Sequence, residues 1–179
     1  MAISVTRAQF LRLLGGLAAS PSLACSGSTG PLDEVEEDEE ERPPFYKSLS
    51  EWRTLLTPEQ YAILFEGGTE PALASPLHDE ERPGTYVCAA CFIPLFSSDR
   101  KYDSGTGWPS FWAPYAERVL FKPDIRFSVP AVEYHCFRCY GHQGHIFGDG
   151  PPPTGDRYCN NGLALVFVPE NEPLPALRS

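Results

Sequence analysis

The spacing of apolar and polar residues changes before the middle of the chain. In the earlier part apolar side chains recur every three or four positions, which predicts two short amphipathic helices at about residues 46–56 and 57–65. Thr57 followed by Pro58 is typical of a helix N-terminus, and Gly67 is typical of a helix end. We therefore expect the domain to begin with two helices.

After these helices, short apolar stretches alternate with turns rich in proline and glycine. The chain holds 19 prolines and 15 glycines, which favours a loop-rich domain built of strands over a helical bundle. The predicted strands lie at residues 85–88, 128–136, 145–147 and 163–168. We expect a mainly β domain over residues 45–170, followed by a loose, proline-rich tail over residues 171–179.

Acidic residues dominate the charge of the chain but are concentrated in one run. Lysine and arginine total 14 against 24 aspartates and glutamates, which gives a formal net charge of −10. Eight of those acids lie within residues 33–41, so residues 32–44 are predicted to form an extended, disordered linker. The remaining charge is nearly balanced and forms no basic stripe, which argues against a nucleic-acid partner.

The first 31 residues have the composition of a targeting segment. Arg7 and Arg12 are its charged residues, and an apolar stretch leads to small residues before Cys25. The stretch around Arg7 resembles a twin-arginine export motif with one arginine replaced, and the residues before Cys25 resemble a lipoprotein box. We expect export to a bacterial periplasm, or a lipoprotein tethered through Cys25. An organelle transit peptide or an uncleaved cytoplasmic tail is the alternative.

Four of the six cysteines form two Cys-x-x-Cys pairs, Cys88 with Cys91 and Cys136 with Cys139. Two such turns supply the four sulfurs of a closed, tetrahedral zinc site, so we predict one structural Zn²⁺ ion that holds two distant hairpins together. Disulfides are the rival interpretation, since an exported protein meets an oxidising compartment. A redox-active Cys-x-x-Cys is the other.

Cys159 is the cysteine that remains in the domain. Arg157 and Asn161 lie two residues to either side and would share its face on an extended segment, where the arginine would stabilise a thiolate. His142 and His145 come shortly before it and can supply an acid. A lone cysteine is more often a small buried apolar residue, and most isolated histidines are structural, so the interpretation depends on their combination.

A longer series of motifs points to one family. The segments are LTPEQY (56–61), GTE (68–70), YDSGTGWPSF (102–111), HQGH (142–145), DGPPPTG (149–155) and RYC (157–159). With both Cys-x-x-Cys pairs, residues 55–169 resemble the B-type methionine sulfoxide reductases, which act on the R epimer. The resemblance implies a mostly β domain of two antiparallel sheets with N-terminal helices.

The resemblance also implies a role for each candidate residue. Cys159 would attack the sulfoxide sulfur, and His142 and His145 would bind and protonate its oxygen, directly or through water. Arg157 and Asn161 would orient groups around the thiolate. Trp108 would form the wall that holds the substrate methyl group, although a buried core aromatic is the other interpretation of this residue.

The expected chemistry is thiolate attack followed by reduction of a cysteine sulfenic acid. Relatives often carry a second cysteine before the tryptophan, and this position is Thr106 here. An external thiol, from a thioredoxin-like protein or a small molecule, is therefore expected to complete the cycle. Other departures from the family pattern are Ala131, Gln143, Gly162 and the segment 71–82.

Three functions compete at this stage. The first is reduction of methionine-R-sulfoxide in peptides or proteins by a chain expected to be a monomer. The second is a non-catalytic zinc-binding relative that uses the tryptophan pocket to hold peptides. The third is a disulfide oxidoreductase, which predicts a reactive Cys88 or Cys136 and no zinc.

Overall fold

The computed structural model describes residues 44–125 and 131–179. The predicted targeting segment, Cys25, nearly all of the acidic linker and the beginning of the predicted strand at 128–136 lie outside the described residues. Within the described part, no helix combines the length and the apolar character needed to cross a membrane.

Two capped helices open the described domain, α1 (Leu49–Leu55) and α2 (Pro58–Glu66). The side chains of Ser48 and Thr57 each accept a hydrogen bond from the backbone three residues later, where a glutamate or glutamine side chain bonds back to the cap. The first helix is therefore shorter than predicted, because Ser48 sets its start. Gly67 ends the second with φ 68°, a left-handed conformation that glycine adopts without strain.

Within residues 44–125 and 131–179, nine strands form two antiparallel sheets, as the family resemblance implies. They are β1 (Gly84–Cys88), β2 (Pro94–Ser97), β3 (Lys101–Tyr102), β4 (Ser110–Phe111), β5 (Val119–Asp124), β6 (Ala131–Cys136), β7 (His142–Phe147), β8 (Arg157–Asn160) and β9 (Leu165–Pro169). The smaller sheet has the order β2-β1-β9, and the larger has the order β3-β4-β8-β7-β6-β5. The prediction of a mainly β domain with short N-terminal helices is confirmed.

The sequence patterns miss part of the larger sheet. β3 and β4 have two residues each, which is too short for an alternation of apolar and polar residues to be recognised. β5 was not predicted because Leu120 and Phe121 are consecutive exposed apolar residues rather than an alternation. β7 begins three residues before the predicted 145–147, since an irregularity in its pairing with β6 interrupts the pattern.

Aromatic side chains from both sheets pack together and hold the strands in place. The Phe96 and Phe111 rings stack at 4.2 Å, and Tyr86 meets Phe111 edge-on at 4.9 Å. Burial of each such side chain contributes about 1.5–3 kcal/mol. Tyr158 of β8 joins this core, 5.3 Å from the Tyr134 ring. Because alternate residues of a strand face opposite ways, Tyr158 turns the next residue, Cys159, away from the core.

The C-terminal segment contacts the domain near its end. The Arg178 backbone N–H donates to the Cys91 carbonyl at 3.3 Å, and its guanidinium lies over the Phe92 ring at 4.5 Å. The Arg138 guanidinium donates to the Arg178 carbonyl at 2.9 Å. Arg178, within the tail predicted to be loose over residues 171–179, thus makes contacts of two kinds, because an arginine can bond carbonyls and cover an aromatic ring at once.

Candidate active site and metal centre

The four cysteines of the two Cys-x-x-Cys pairs converge on one point, as predicted. Their sulfurs all lie within 4.8 Å of one another, with 3.7 Å between Cys88 and Cys139 and 3.5 Å between Cys91 and Cys136. A tetrahedron with Zn–S bonds of about 2.3 Å has edges of about 3.8 Å. A disulfide would need about 2.05 Å. The donor set and its spacing fit a zinc-type metal site and do not fit disulfides.

The four-cysteine centre is closed and buried. Cys88 ends β1 and Cys91 lies in the turn that follows, while Cys136 ends β6 and Cys139 lies in the turn that follows it, so the four sulfurs join the end of one strand from each sheet. Burial raises the pKa of the Cys88 thiol well above its usual range, whereas hydrogen bonds from the Cys136 and Cys139 thiols lower the pKa of Cys91. Further thiolates in so small a volume need a cation to offset their charge.

Cys159 lies elsewhere, in the middle of β8 within the larger sheet. Its cross-strand neighbours are Ser110 of β4 and His145 of β7. The half-buried thiol is part of a cleft of about 220 Å³. The residues that line this cleft are Thr69, Trp108, Gly144, His145, Phe147, Cys159 and Asn161. Three predicted site residues, Trp108, His145 and Asn161, therefore lie around one cleft with Cys159.

Gly144 allows β7 and β8 to approach closely beside Cys159. A Cβ atom at this position would lie 1.9 Å from the Cys159 carbonyl oxygen, which belongs to the neighbouring strand backbone. The backbone has no room to accommodate such an atom without moving. The glycine of the His-Gln-Gly-His motif is therefore required by packing against β8.

A bulge brings the two histidines of this motif to one side of the sheet. Tyr134 pairs with Gly144 and His135 pairs with His142, so Gln143 is an extra residue in β7. Residues three apart on a regular strand face opposite ways, but the extra residue restores a common face. The His142 and His145 rings lie 5.4 Å apart as a result.

The two histidines nevertheless occupy different surroundings. His145 lines the Cys159 cleft, and its Nε2 lies 2.9 Å from the Asp124 carboxylate. His142 is buried and lines a neighbouring pocket, with Nδ1 at 3.3 Å from the Glu133 carboxylate. The expected convergence is therefore partial, because only His145 reaches the cleft wall.

Arg157 shares the Cys159 side of β8 and is held by a carboxylate. Its guanidinium makes two hydrogen bonds to Asp149, at 2.8 and 2.9 Å, and lies over the Phe147 ring at 4.4 Å. Burial raises the pKa of the Cys159 thiol above its ordinary value, while the positive charge of Arg157 and a hydrogen bond with Thr106 oppose that rise. The resting group is therefore a thiol, and Arg157 and Thr106 favour its ionisation.

Trp108 also lines the cleft. Its indole Nε1–H donates to the Glu70 carbonyl at 3.1 Å, which fixes the orientation of the ring. Gly107, immediately before it, has φ 84°, a conformation that side chains rarely adopt. The tryptophan is thus an oriented, partly exposed wall and not a fully buried core residue.

Comparison with known proteins places the chain in a family. Residues 56–169 match the SelR domain. The chain is 50% identical over 125 residues to the peptide methionine sulfoxide reductase MsrB of Leptospira interrogans, covering 69% of this chain and 95% of that protein. The chain belongs to the MsrB family. The proteins of the same name from Methanosarcina barkeri and Thiobacillus denitrificans are 48% and 50% identical, over 70% of this chain and 89% and 96% of theirs.

Glu70 is a part of this MsrB-family site that the sequence reasoning did not single out. Its buried carboxylate accepts hydrogen bonds from the backbone N–H groups of Gly162 and Leu163, at 2.6 and 2.9 Å. Its own backbone N–H donates to the Asn161 side chain at 3.0 Å. Glu70 thus joins the Trp108 wall to the end of β8. Its place in the Gly-Thr-Glu motif was the available signal.

Asn161 makes hydrogen bonds to two separate segments beside the cleft. Its amide group donates to the Gln143 carbonyl at 3.1 Å and accepts from the Glu70 backbone. The predicted asparagine therefore connects the β7 bulge to the Glu70 segment, and so holds the cleft walls together beside Cys159. Three further residues contact predicted site residues in a way that the sequence alone does not indicate. They are Asp149 beside Arg157, Asp124 beside His145, and Thr106 beside Cys159.

Proposed function

We propose that this chain reduces methionine-R-sulfoxide in peptides or proteins to methionine, with Cys159 as the nucleophile. One observation carries the proposal. The thiol of Cys159 is the described cysteine sulfur outside the metal centre, and it faces a cleft that also holds an oriented tryptophan and a histidine held by a carboxylate. Membership of the family whose relatives are named peptide methionine sulfoxide reductases supports it.

The proposed reaction transfers one oxygen atom. Cys159 attacks the sulfoxide sulfur, the sulfur–oxygen bond of the substrate breaks, and the oxygen remains on the enzyme as a sulfenic acid while methionine leaves. The thiol proton ends on that oxygen, so atoms balance. The methionine sulfur is reduced by two electrons and the cysteine sulfur is oxidised by two.

The groups around the cleft are suited to this step. Arg157 and Thr106 stabilise the thiolate against the pKa-raising effect of burial. His145, held at 2.9 Å by Asp124, is placed to give a proton to the sulfoxide oxygen. His142, with its ring 5.4 Å from that of His145, is proposed to assist through His145 or through water. Trp108 provides an apolar wall for the substrate methyl group.

An external thiol is proposed to restore the enzyme. Thr106 occupies the position where a second cysteine would be expected, and the other described cysteines belong to the metal centre. One thiol would condense with the sulfenic acid and release water, and a second would then free Cys159 as a thiol. After a single turnover without added thiol, a sulfenic acid trap such as dimedone should label Cys159. A disulfide formed within the chain instead would overturn this step.

The four-cysteine centre is proposed to hold one structural Zn²⁺ ion through Cys88, Cys91, Cys136 and Cys139. Four sulfur ligands leave no open position for substrate, so the ion would supply folding energy rather than chemistry. Metal analysis of the freshly purified protein should find one zinc per chain. A value near zero would contradict the assignment.

The decisive test compares the two epimers. A peptide containing methionine-R-sulfoxide should be reduced in the presence of dithiothreitol, and the S epimer should not. Cys159→Ser should abolish turnover, whereas the matched control Cys25→Ser should retain it. Turnover by Cys159→Ser would refute the assignment. A folded, zinc-bearing wild-type protein that binds the peptide without reducing it would favour the non-catalytic alternative.

We also propose that residues 1–31 direct export of a monomeric protein, with lipid on Cys25 as the tethered form. The proposal is supported by the acid-free, apolar composition of that segment. Mass spectrometry of the mature chain would decide it, since cleavage near Cys25 or an added lipid mass is expected. An intact, unmodified N-terminus would contradict export.

A further inference from the structure

Three side chains outside the four-cysteine centre also form a group of metal-ligand type. Glu133 and His135 project from β6, and His142 projects from β7. One ligand atom from each lies within 4.8 Å of the other two. The Glu133 carboxylate lies between the histidines, with 3.3 Å from Oε1 to His135 Nε2 and 3.3 Å from Oε2 to His142 Nδ1.

A backbone contact determines which ring nitrogen of His135 carries the hydrogen. Its Nδ1 lies 3.0 Å from the Tyr140 carbonyl oxygen, which can only accept a hydrogen bond, so Nδ1 carries the hydrogen. Nε2 is then the ring nitrogen that faces the Glu133 carboxylate and could bind a metal ion. This Nε2 atom is buried and makes no hydrogen bond with the described residues. Nε2 and the Glu133 carboxylate oxygen lie 3.3 Å apart, a separation that one ion bonded to both at about 2.0–2.2 Å would span.

The ligand types suit a divalent transition-metal ion. Two imidazole nitrogens and one carboxylate are a common set for such ions and leave further positions for water. A histidine ligand usually donates its other ring N–H to a carbonyl or carboxylate, as His135 does to Tyr140. We propose that Glu133, His135 and His142 form a second metal site, distinct from the four-cysteine centre, for a divalent transition-metal ion.

The pocket around these residues provides access. It has a volume of about 520 Å³ and is open to solvent beside Lys122. The Lys122 ammonium lies 3.9 Å from Glu133 Oε1, but its side chain is 70% exposed. An incoming ion can therefore displace the lysine into solvent at little cost. Because no sulfur is in the set, the site would take metals without competing for the cysteines.

Occupancy of this site would have a consequence for turnover, and this step rests on the proposed function. An ion bound to His142 would occupy a ring nitrogen of this residue, so His142 could no longer act with His145 on the sulfoxide oxygen. The site would therefore couple local metal excess to inhibition of repair. Metal binding itself does not depend on the proposed reaction, so the two parts can fail separately.

Binding is tested with Co²⁺ added to the zinc-loaded full chain carrying Cys159→Ser, in buffer without thiols. We expect one equivalent of Co²⁺ with d–d absorption and no thiolate charge-transfer band. Introducing His135→Gln as a second substitution in this chain should weaken Co²⁺ binding at least about tenfold. Introducing the matched control His78→Gln instead should not weaken it, because His78 lies outside the cluster and bonds Ser75 and Asp79. Equal binding by the His135→Gln protein, a thiolate band, or no binding would overturn the site.

Inhibition is tested with the otherwise wild-type chain in a single turnover without added thiol. Co²⁺ should slow methionine formation in wild-type and His78→Gln proteins, and His135→Gln should require at least about tenfold more metal for the same inhibition. Binding of Co²⁺ without any change in turnover would overturn the coupling. If no reductase activity exists at all, the proposed function fails, while the cobalt titration still decides the metal site.

Discussion

The described residues contain two sulfur sites that differ in almost every physical respect. The four-cysteine centre is at most 3% exposed, and each of its Cys-x-x-Cys pairs lies in one short segment at the end of a strand. The Cys159 cleft is half-open and is assembled from separate strands and loops. In the first, neighbouring sulfurs govern one another's ionisation; in the second, an arginine and a hydroxyl oppose the effect of burial. A closed set of sulfurs suits a structural ion, whereas one accessible sulfur beside proton donors suits chemistry.

The largest expected effect comes from breaking the closed site. Cys136→Ser should remove the proposed Zn²⁺ ion and unfold much of the domain, because that ion would join a segment from each sheet and structural zinc stabilises small sites by about 10 kcal/mol or more. Zinc content and thermal unfolding measure this. Cys159→Ser is the matched control, and it should keep both the metal and the unfolding temperature. A Cys136→Ser protein as stable as wild type would contradict a structural role.

The next largest effect is expected on the pKa of the Cys159 thiol. Arg157→Met should raise the pKa of Cys159 further, because the charge that opposes burial is lost. Less thiolate is then present at a given pH, so alkylation of Cys159 by iodoacetamide at pH 8 should slow about tenfold and its pH profile should move upward. Arg53→Met is the control, since Arg53 forms an exposed pair with Glu66. An unchanged profile would show that Arg157 acts only through packing.

The contrast also explains what the sequence could predict. The four cysteines of the proposed metal site could be predicted because each pair lies within four residues. The Cys-x-x-Cys spacing alone places the two sulfurs of a pair close together. Cys159, Trp108 and His145 were found through motifs. Glu70 was not singled out, because its contacts with Gly162 and Leu163 join segments more than 90 residues apart. No local pattern records such a contact.

One departure from the family pattern acquires a reason only in the structure. A Cβ atom on Gly162 would lie 2.0 Å from the Ser75 hydroxyl oxygen. Ser75 belongs to the segment 71–82, which the sequence identifies as remodelled. The glycine and the altered segment therefore belong together, since the serine hydroxyl occupies the place that a side chain at residue 162 would take.

A smaller effect is expected at the residue that stands where a second cysteine would be. Thr106→Val keeps the shape of the side chain but removes the hydroxyl that hydrogen-bonds the Cys159 sulfur and so lowers its pKa. A neutral hydrogen bond contributes about 0.5–1.5 kcal/mol, so alkylation at pH 8 should slow by about threefold. Thr54→Val on α1 is the comparison variant and should leave the rate unchanged. A faster reaction in Thr106→Val would reverse the proposed role of the hydroxyl.

Gln143 connects the two sites and provides the finest test of the comparison. Its backbone forms the bulge that unites the histidines, while its buried side-chain amide donates to the Cys88 sulfur at 3.6 Å. Gln143→Leu should retain the bulge but leave the Cys88 thiolate without this donor, and a less stabilised thiolate is easier to oxidise. Zinc release during treatment with hydrogen peroxide should therefore be about twofold faster, as followed with a chromogenic chelator. Gln60→Leu, which removes the partly exposed amide that bonds the cap of α2, controls for a general loss of stability. Slower release from Gln143→Leu would mean that the unsatisfied Gln143 Oε1 atom destabilises the centre more than the N–H···S bond stabilises it.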